Sequence, residues 1–341
     1  MKIEKSNIKK ILCIKPRGIG DIILSTIILE NLHQHFQDVK IDYLTETFAK
    51  DSLINHPLVN EVLTMGKTEF PLKVALRLRK KKYDMVIDLW SNPRSAQITF
   101  LSGAIYRVGF AYRGRKYAYN ILATSGRGDS HSAEHNLEVL KPIDVPVISK
   151  KVTYHLSPAD KEFGRTFFTN TIETNESVVG IIPAGGWASK RCDAEKWIEI
   201  CKALDKKYKC KFLILWGPGD EVDTEKIISA LGSQAIKAPE TPLNKMASLI
   251  NECEIVLAND SGPMHISAAL GKSTLGIFGP TNPKNHGPYS ENSDYVIKND
   301  LFCIICNKLE CPYNHECMKE LDVNKVLQKL EMISNSKLKV R

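Results

Sequence analysis

Three short segments carry residues suited to binding an anionic ligand beside a reactive carboxylate. The first is Lys15-Pro16-Arg17-Gly18-Ile19-Gly20-Asp21. It lies where a short apolar strand gives way to a helix, the place in an open parallel sheet where backbone N–H groups point outward and ligands bind. Ile23 stands where a dinucleotide fingerprint needs its third glycine, so this is not one. Asp21 has two readings: a functional carboxylate, or a residue that caps the helix and complements its dipole. The second segment is Pro183-Ala184-Gly185-Gly186-Trp187-Ala188-Ser189-Lys190-Arg191. Its small residues admit a ligand close to the backbone, and two adjacent cations can neutralise a diphosphate; it also reads as an exposed loop with incidental charge. The third, Asn259-Asp260-Ser261-Gly262-Pro263-Met264-His265, again joins a strand end to a helix. With Pro263 in the first turn, the free N–H groups and His265 would surround a phosphate site; capping alone would also explain Asp260 and Ser261. Gly271-Lys272-Ser273 is not a Walker A loop, because Ile266 occupies the position of the required glycine.

The elements that would position these segments alternate between strand and helix, which predicts an α/β fold with mostly parallel sheets. In the first half, strands are expected at Ile11–Ile14, Val39–Leu44 and Met85–Leu89. Leu24, Ile28, Leu32 and Phe36 recur every four residues after the first of them, and Leu72–Lys82 has helical period. The pattern weakens between Ile148 and Ser177, where Ser157-Pro158-Ala159-Asp160 starts a helix that leads to the polar stretch Thr169–Ser177. A domain boundary is expected there, dividing the chain into residues 1–165 and 166–341. Strands follow at Val178–Ile182, Lys211–Trp216, Ile255–Ala258 and, as the last, Thr274–Phe278. Helices are expected around Trp197, Ile200, Cys201 and Leu204, from Thr241-Pro242 onward, from Pro263 to near Gly271, and around Val323, Val326, Leu327, Leu330 and Ile333.

Composition narrows the setting. The 341 residues are 43% hydrophobic, enough for two cores. No apolar run approaches the roughly 18 residues of a membrane span, and Met1–Lys10 lacks a signal-peptide core, so a cytoplasmic protein is expected. Lys and Arg number 47 against 39 Asp and Glu, a net charge of +8, with clusters at Arg77–Lys82 and at Arg113, Arg115 and Lys116. Such a surplus suits phosphate, acidic sugar, an anionic lipid surface or nucleic acid without choosing among them, or it is a solvated face. No stacking aromatics are interleaved with the basic runs, so no nucleic acid is expected as a partner. Nine cysteines without a secretory signal argue against a disulfide framework. Four of them, Cys303-x2-Cys306-x4-Cys311-x5-Cys317, have nearly zinc-knuckle spacing with His315 as a spare ligand; reduced thiols tightening a loop are the alternative.

In their order along the chain these segments resemble glycosyltransferase family 9, the ADP-heptose:lipopolysaccharide heptosyltransferases. The resemblance runs through Ile11–Asp21, Ile181–Trp197, Trp216-Gly217-Pro218-Gly219-Asp220-Glu221 and Ala258–Pro283, and Asn259–His265 with Gly279-Pro280-Thr281 is its most specific part. It implies a GT-B architecture: two Rossmann-like domains facing a cleft, acceptor on the first, nucleotide sugar on the second, and a final helix packing back towards the first. By similarity, Asp21 is the general base for the acceptor hydroxyl, with Lys15, Arg17 and Gly20 on the acceptor or phosphate side. Lys190 looks like the phosphate-binding lysine, with Arg191 beside it, Glu221 like a ligand of ribose or base, and Asp260, Ser261, Gly262 and His265 like the donor loop. Cys192 departs from the family's usual Trp after the Lys-Arg pair.

The implied reaction is an inverting transfer of heptose from ADP-heptose to lipid-linked Kdo or heptose of the lipopolysaccharide inner core. The protein would then touch the cytoplasmic face of the inner membrane peripherally. A displacement of this kind needs a base on the acceptor and charge stabilisation on the departing diphosphate. No Asp-x-Asp triplet occurs, so neither a metal nor any other cofactor is expected. Another nucleotide sugar, or sugar-nucleotide binding without catalysis, are the alternatives.

Overall fold

The computed structural model describes residues 3–124, 126, 128, 130–172, 176–334 and 338. They divide into two units, the first ending at His155 and the second beginning at Leu156, ten residues before the division placed on the sequence. Of the polar stretch that suggested the later position, residues 173–175 lie outside the described ones. Helix α6 (Pro158–Thr171) thus falls whole in the second unit; it starts at Ser157-Pro158-Ala159-Asp160 as expected, and a capping box between Ser157 and Asp160 opens it.

The first unit holds six strands: β1 (Lys10–Ile14), β2 (Lys40–Glu46), β3 (Glu61–Met65), β4 (Met85–Asp88), β5 (Tyr106–Phe110) and β6 (Ile121–Ala123). All pair in parallel, in the order β3-β2-β1-β4-β5-β6. Parallel neighbours need crossovers, supplied here by helices α1 (Ile19–Ser25), α2 (Leu29–His35), α3 (Pro71–Arg79) and α4 (Pro93–Leu101), with α5 (Ser132–Leu137) after the last strand. One core cluster joins Leu12, Ile14, Leu44 and Val86 of the sheet to Val74, Leu78 and Ile98 of the helices.

The second unit repeats the plan. Its strands are β7 (Ser177–Ile182), β8 (Cys210–Ile214), β9 (Ala235–Lys237), β10 (Ile255–Asn259), β11 (Ser273–Phe278) and β12 (Ser293–Ile297). They too are parallel, in the order β12-β11-β10-β7-β8-β9, which is the first sheet's order repeated. Helices α7 (Ala194–Lys207), α8 (Glu221–Leu231), α9 (Leu243–Glu252), α10 (Gly262–Ala269), α11 (Pro283–His286) and α12 (Glu316–Lys319) connect or follow them. The final helix, α13 (Val323–Ser334), buries Val326, Leu330 and Ile333 with Trp197, Ile200 and Leu204 in the core of its own unit. The sequence placed the last strand at Thr274–Phe278; β12 follows it, an edge strand mostly half-exposed and therefore without a long apolar run. No helix among the described residues is long and apolar enough to cross a membrane.

Candidate active site

In the first unit the site begins where β1 ends. The Lys15 amide still donates to the Leu44 carbonyl at 3.1 Å, and three residues later Gly18 turns the chain at φ +78°. A Cβ at Gly18 would stand 2.5 Å from Asp21 Oδ2, so glycine is what lets the aspartate fold back over the helix entrance. Asp21 lies in the first turn of α1, whose N-cap Gly18 has no side chain to offer the open amides. Gly20 is buried in the same turn.

The carboxylate is 44% exposed, whereas the Lys15 side chain 4.0 Å away is only 7% exposed. A buried ammonium is costly unless it is surrounded by acceptors. Lys15 Nζ donates to the Leu89 carbonyl at 3.2 Å and to Asn136 Oδ1 at 3.4 Å, and stands 5.0 Å above the Trp90 ring. The loop that presents Leu89 and Trp90 is held by buried Asp88. Its Oδ1 accepts from the amides of Trp90 (3.0 Å) and Ser91 (2.8 Å), and its Oδ2 from the Tyr119 hydroxyl (2.8 Å). Burial pushes the Asp88 pKa up, against these hydrogen bonds. Arg17 Nε contacts Glu46 Oε1 at 3.2 Å, and Arg94 approaches the same oxygen at 3.6 Å. Beside them opens a hollow of about 640 Å³ lined by Arg17, Gly18, Glu46, Thr47, Phe48 and Lys67, among others.

In the second unit, Asn259 at the end of β10 pins both ends of the loop after β7. Its Nδ2 donates to the Pro183 carbonyl at 2.6 Å, and its Oδ1 accepts from the Cys192 amide at 3.3 Å. Lys190 ends a 3-10 turn on that loop (Ala188–Lys190). Its ammonium meets Asp260 Oδ2 at 2.7 Å and lies 4.3 Å over the Trp187 ring. Asp260 Oδ2 also accepts from Thr281 Oγ1 at 2.6 Å. Arg191 donates to the carbonyls of Gly185 (3.0 Å) and Gly219 (3.2 Å), and its Nη1 stands 3.0 Å from Asp220 Oδ1. A Cβ at Gly185 would meet the Arg191 Cγ at 2.9 Å. Burial pushes the Asp220 pKa up, while the Gly217 amide and Arg191 pull the other way.

Ser261 is the N-cap of α10, yet its side chain makes no capping bond, and its buried Oγ has no partner among the described residues. Gly262 opens the helix, so its first-turn amides have no partner within the helix, and they follow directly on Asp260, which pairs with Lys190. His265 is buried in the same helix. Glu221 is exposed at the start of α8 and accepts from the Gly219 amide at 2.8 Å. The residues expected on the donor side, Lys190, Arg191, Asp260, Ser261 and Gly262, thus gather around the ends of β7 and β10. Glu221 stands at the rim, and its neighbour Asp220 is the carboxylate that meets Arg191.

The four clustered cysteines and His315 line a cavity of about 20 Å³. All four are free thiols, and no group of three or more His, Cys, Asp or Glu side chains among the described residues is placed to hold a metal. Burial, followed by the neighbouring Cys311, Cys303 and Cys306, pushes the Cys317 thiol up to about 12. The loop has a further effect: it grips Ser189, the residue before Lys190. Ser189 N donates to the Leu309 carbonyl (3.1 Å), its Oγ to the Lys308 carbonyl (2.6 Å), and its own carbonyl accepts from His315 Nε2 (2.8 Å). Asn136, Thr281, Asp220 and Ser189 were not singled out on the sequence. Asp220, Thr281 and Ser189 carried a signal, each lying within a quoted motif; Asn136 lay in none, and it and Ser189 act through partners more than a hundred residues away.

Residues 72–316 match the model of glycosyltransferase family 9 (heptosyltransferase). Lipooligosaccharide heptosyltransferase 2 of Campylobacter jejuni subsp. jejuni serotype O:6 is 25% identical over 333 residues, 94% of this chain and 97% of the relative. Among solved structures, the family 9 glycosyl transferase of Veillonella parvula superposes with a TM-score of 0.81 at 20% identity, covering 97% of this chain and 98% of the other. E. coli ADP-heptose lps heptosyltransferase II gives 0.79 at 21% identity, covering 96% and 99%. The fold is therefore the α/β GT-B type, with its two parallel six-stranded sheets. The family match spans more than half the chain, so this protein belongs to glycosyltransferase family 9, the heptosyltransferases.

Proposed function

We propose that this heptosyltransferase moves heptose from ADP-heptose to a Kdo or heptose residue of the lipopolysaccharide inner core, by a metal-independent displacement that inverts the anomeric centre. The observation that carries the reading is the donor-side cluster of the second unit: two cations held by buried carboxylates, beside an uncapped helix N-terminus with a serine hydroxyl that has no partner among the described residues. A diphosphate supplies what that cluster lacks. Its oxygens share Lys190 and Arg191 with Asp260 and Asp220 and accept from Ser261 and the first amides of α10, so charge developing on departing ADP meets oriented donors. Glu221, at the rim, faces the ribose or base. The donor's identity rests on the similarity to E. coli ADP-heptose lps heptosyltransferase II and the Campylobacter relative.

In the first unit, exposed Asp21 takes the acceptor hydroxyl proton while buried Lys15 holds its orientation. The hollow lined by Arg17 and Lys67 suits an acceptor bearing carboxylate or phosphate. A lipid-linked acceptor places the work at the cytoplasmic face of the inner membrane. Metal-independence is supported by the donor set, which neutralises the diphosphate with Lys190, Arg191 and backbone amides, and by the missing Asp-x-Asp triplet.

The test incubates purified protein with ADP-heptose and truncated inner-core acceptors, with mass spectrometry as the readout and ADP- and UDP-hexoses as competitors. Addition of one heptose from ADP-heptose, unaffected by a chelator, is expected. Equal transfer from a UDP-sugar would overturn the donor assignment, and ADP binding without any turnover would overturn the enzyme.

A further inference from the structure

We propose that helix α3 is the surface through which this chain docks on an anionic lipid bilayer. The helix is amphipathic in an uncommon sense. Its inner face, Val74, Ala75 and Leu78, is fully buried in the first unit. Its outer face is not simply polar: Leu72 and Leu76, one turn apart, are 56% and 53% exposed, and Phe70 just before the helix is 79% exposed. Between and after these apolar residues come Lys73, Arg77, Arg79, Lys80, Lys81 and Lys82, with no acidic residue from Pro71 to Tyr83.

Two of the six cations are already engaged. Arg77 faces Glu69 at 3.5 Å and Lys81 faces Glu61 at 2.5 Å. Lys73, Arg79, Lys80 and Lys82 form no ion pair among the described residues. A solvated face accounts for the charges but not for two exposed leucines one turn apart beside exposed Phe70, and the core of a protein partner's interface is depleted of lysine. Single-stranded nucleic acid needs stacking aromatics among the cations, and Tyr83 is buried. An anionic bilayer satisfies both halves at once: the leucines and Phe70 enter the boundary between headgroups and acyl chains, and the long basic side chains reach the lipid phosphates. The inference deepens the proposed function and rests on it for its purpose, since a lipid-linked acceptor lies at such a surface.

The test is co-sedimentation of the full chain with vesicles of phosphatidylglycerol and phosphatidylethanolamine, against vesicles of phosphatidylcholine alone. Binding to the anionic vesicles that weakens with salt is expected. Each cation near an anionic surface contributes roughly fivefold, so the double variant Lys73→Glu, Lys80→Glu should lose about 25-fold or more. Leu72→Ser with Leu76→Ser should lose about tenfold. Both variants should keep the parent's melting transition and its transfer to a delipidated, water-soluble acceptor. Equal binding to phosphatidylcholine, unchanged binding by the charge-reversed variant, or preference for a single-stranded oligonucleotide over the vesicles would overturn the docking surface. Failure of transfer in the parent, with vesicle binding intact, would overturn the proposed function and leave the surface standing.

Discussion

Each of the two sheets, at the carboxyl end of a central strand, assembles a lysine and an aspartate, and the two units bury opposite members of the pair. In the first, the ammonium of Lys15 is inside, 7% exposed, and the carboxylate of Asp21 is outside. In the second, the carboxylate of Asp260 is inside, also 7% exposed, and Lys190 lies further out at 16%. Strand order is the same in both sheets, so topology does not decide the difference. Local partners do. Lys15 is surrounded by neutral acceptors, a carbonyl and an amide oxygen, which solvate an ammonium. Asp260 is met by a donor hydroxyl and a cation, which solvate a carboxylate. One scaffold thereby presents an exposed carboxylate in one copy and an ammonium over a buried carboxylate in the other, the two groups to which the proposed function gives the roles of proton acceptor and anion receptor.

The largest effect that tests this contrast is at the exposed carboxylate. Asp21→Asn should lower turnover by roughly a hundred- to ten-thousandfold while ADP affinity, measured by calorimetry, stays unchanged; retained turnover would remove the base from the first unit. Acid should single out the first unit by another route. His56, beside His155 and bonded to Thr153 Oγ1 at 3.0 Å, has its pKa pulled down to about 4, first by burial and then by His155. The folded state therefore prefers the neutral ring. Its contribution is complete above the ordinary value of 6.5 and is lost as pH falls from there to about 4, up to about 3 kcal/mol. Urea denaturation across that range should show the loss in the parent and a flatter profile in His56→Asn.

On the receptor side, Lys190→Ala should weaken ADP binding by about 10- to 100-fold, the range of a charged hydrogen bond; undiminished affinity would break the assignment. The smallest effect belongs to the loop behind it. His315→Ala removes one hydrogen bond to the Ser189 carbonyl, and about a fivefold rise in the ADP dissociation constant is expected, with turnover at saturating donor unchanged.

Sequence and structure agree best in the middle of each sheet. Strands β7, β10 and β11 are buried along their whole length, so each appears as a run rich in apolar residues and without charge, bounded by turn residues. Edge strands β3, β9 and β12 are mostly half-exposed or exposed, and leave no such run. The loops at the central strand ends were legible too, because glycine, lysine and aspartate there lie within a few residues of each other. The residues that fix those side chains were not. Asn136 reaches Lys15 across 121 positions and His315 reaches Ser189 across 126, and no local periodicity reports such pairs. Glu221 and Asp220 illustrate a finer limit: adjacent carboxylates at a helix start look alike in sequence, and only burial shows which one meets Arg191.

The grip on Ser189 has a consequence for biosynthesis. Lys190 leaves the ribosome long before Lys308, Leu309 and His315, whose atoms hold its neighbour in place. A nascent chain can therefore complete the strands of its second sheet, with Asn259 already pinning both ends of the loop, before the three bonds that hold Ser189 are able to form.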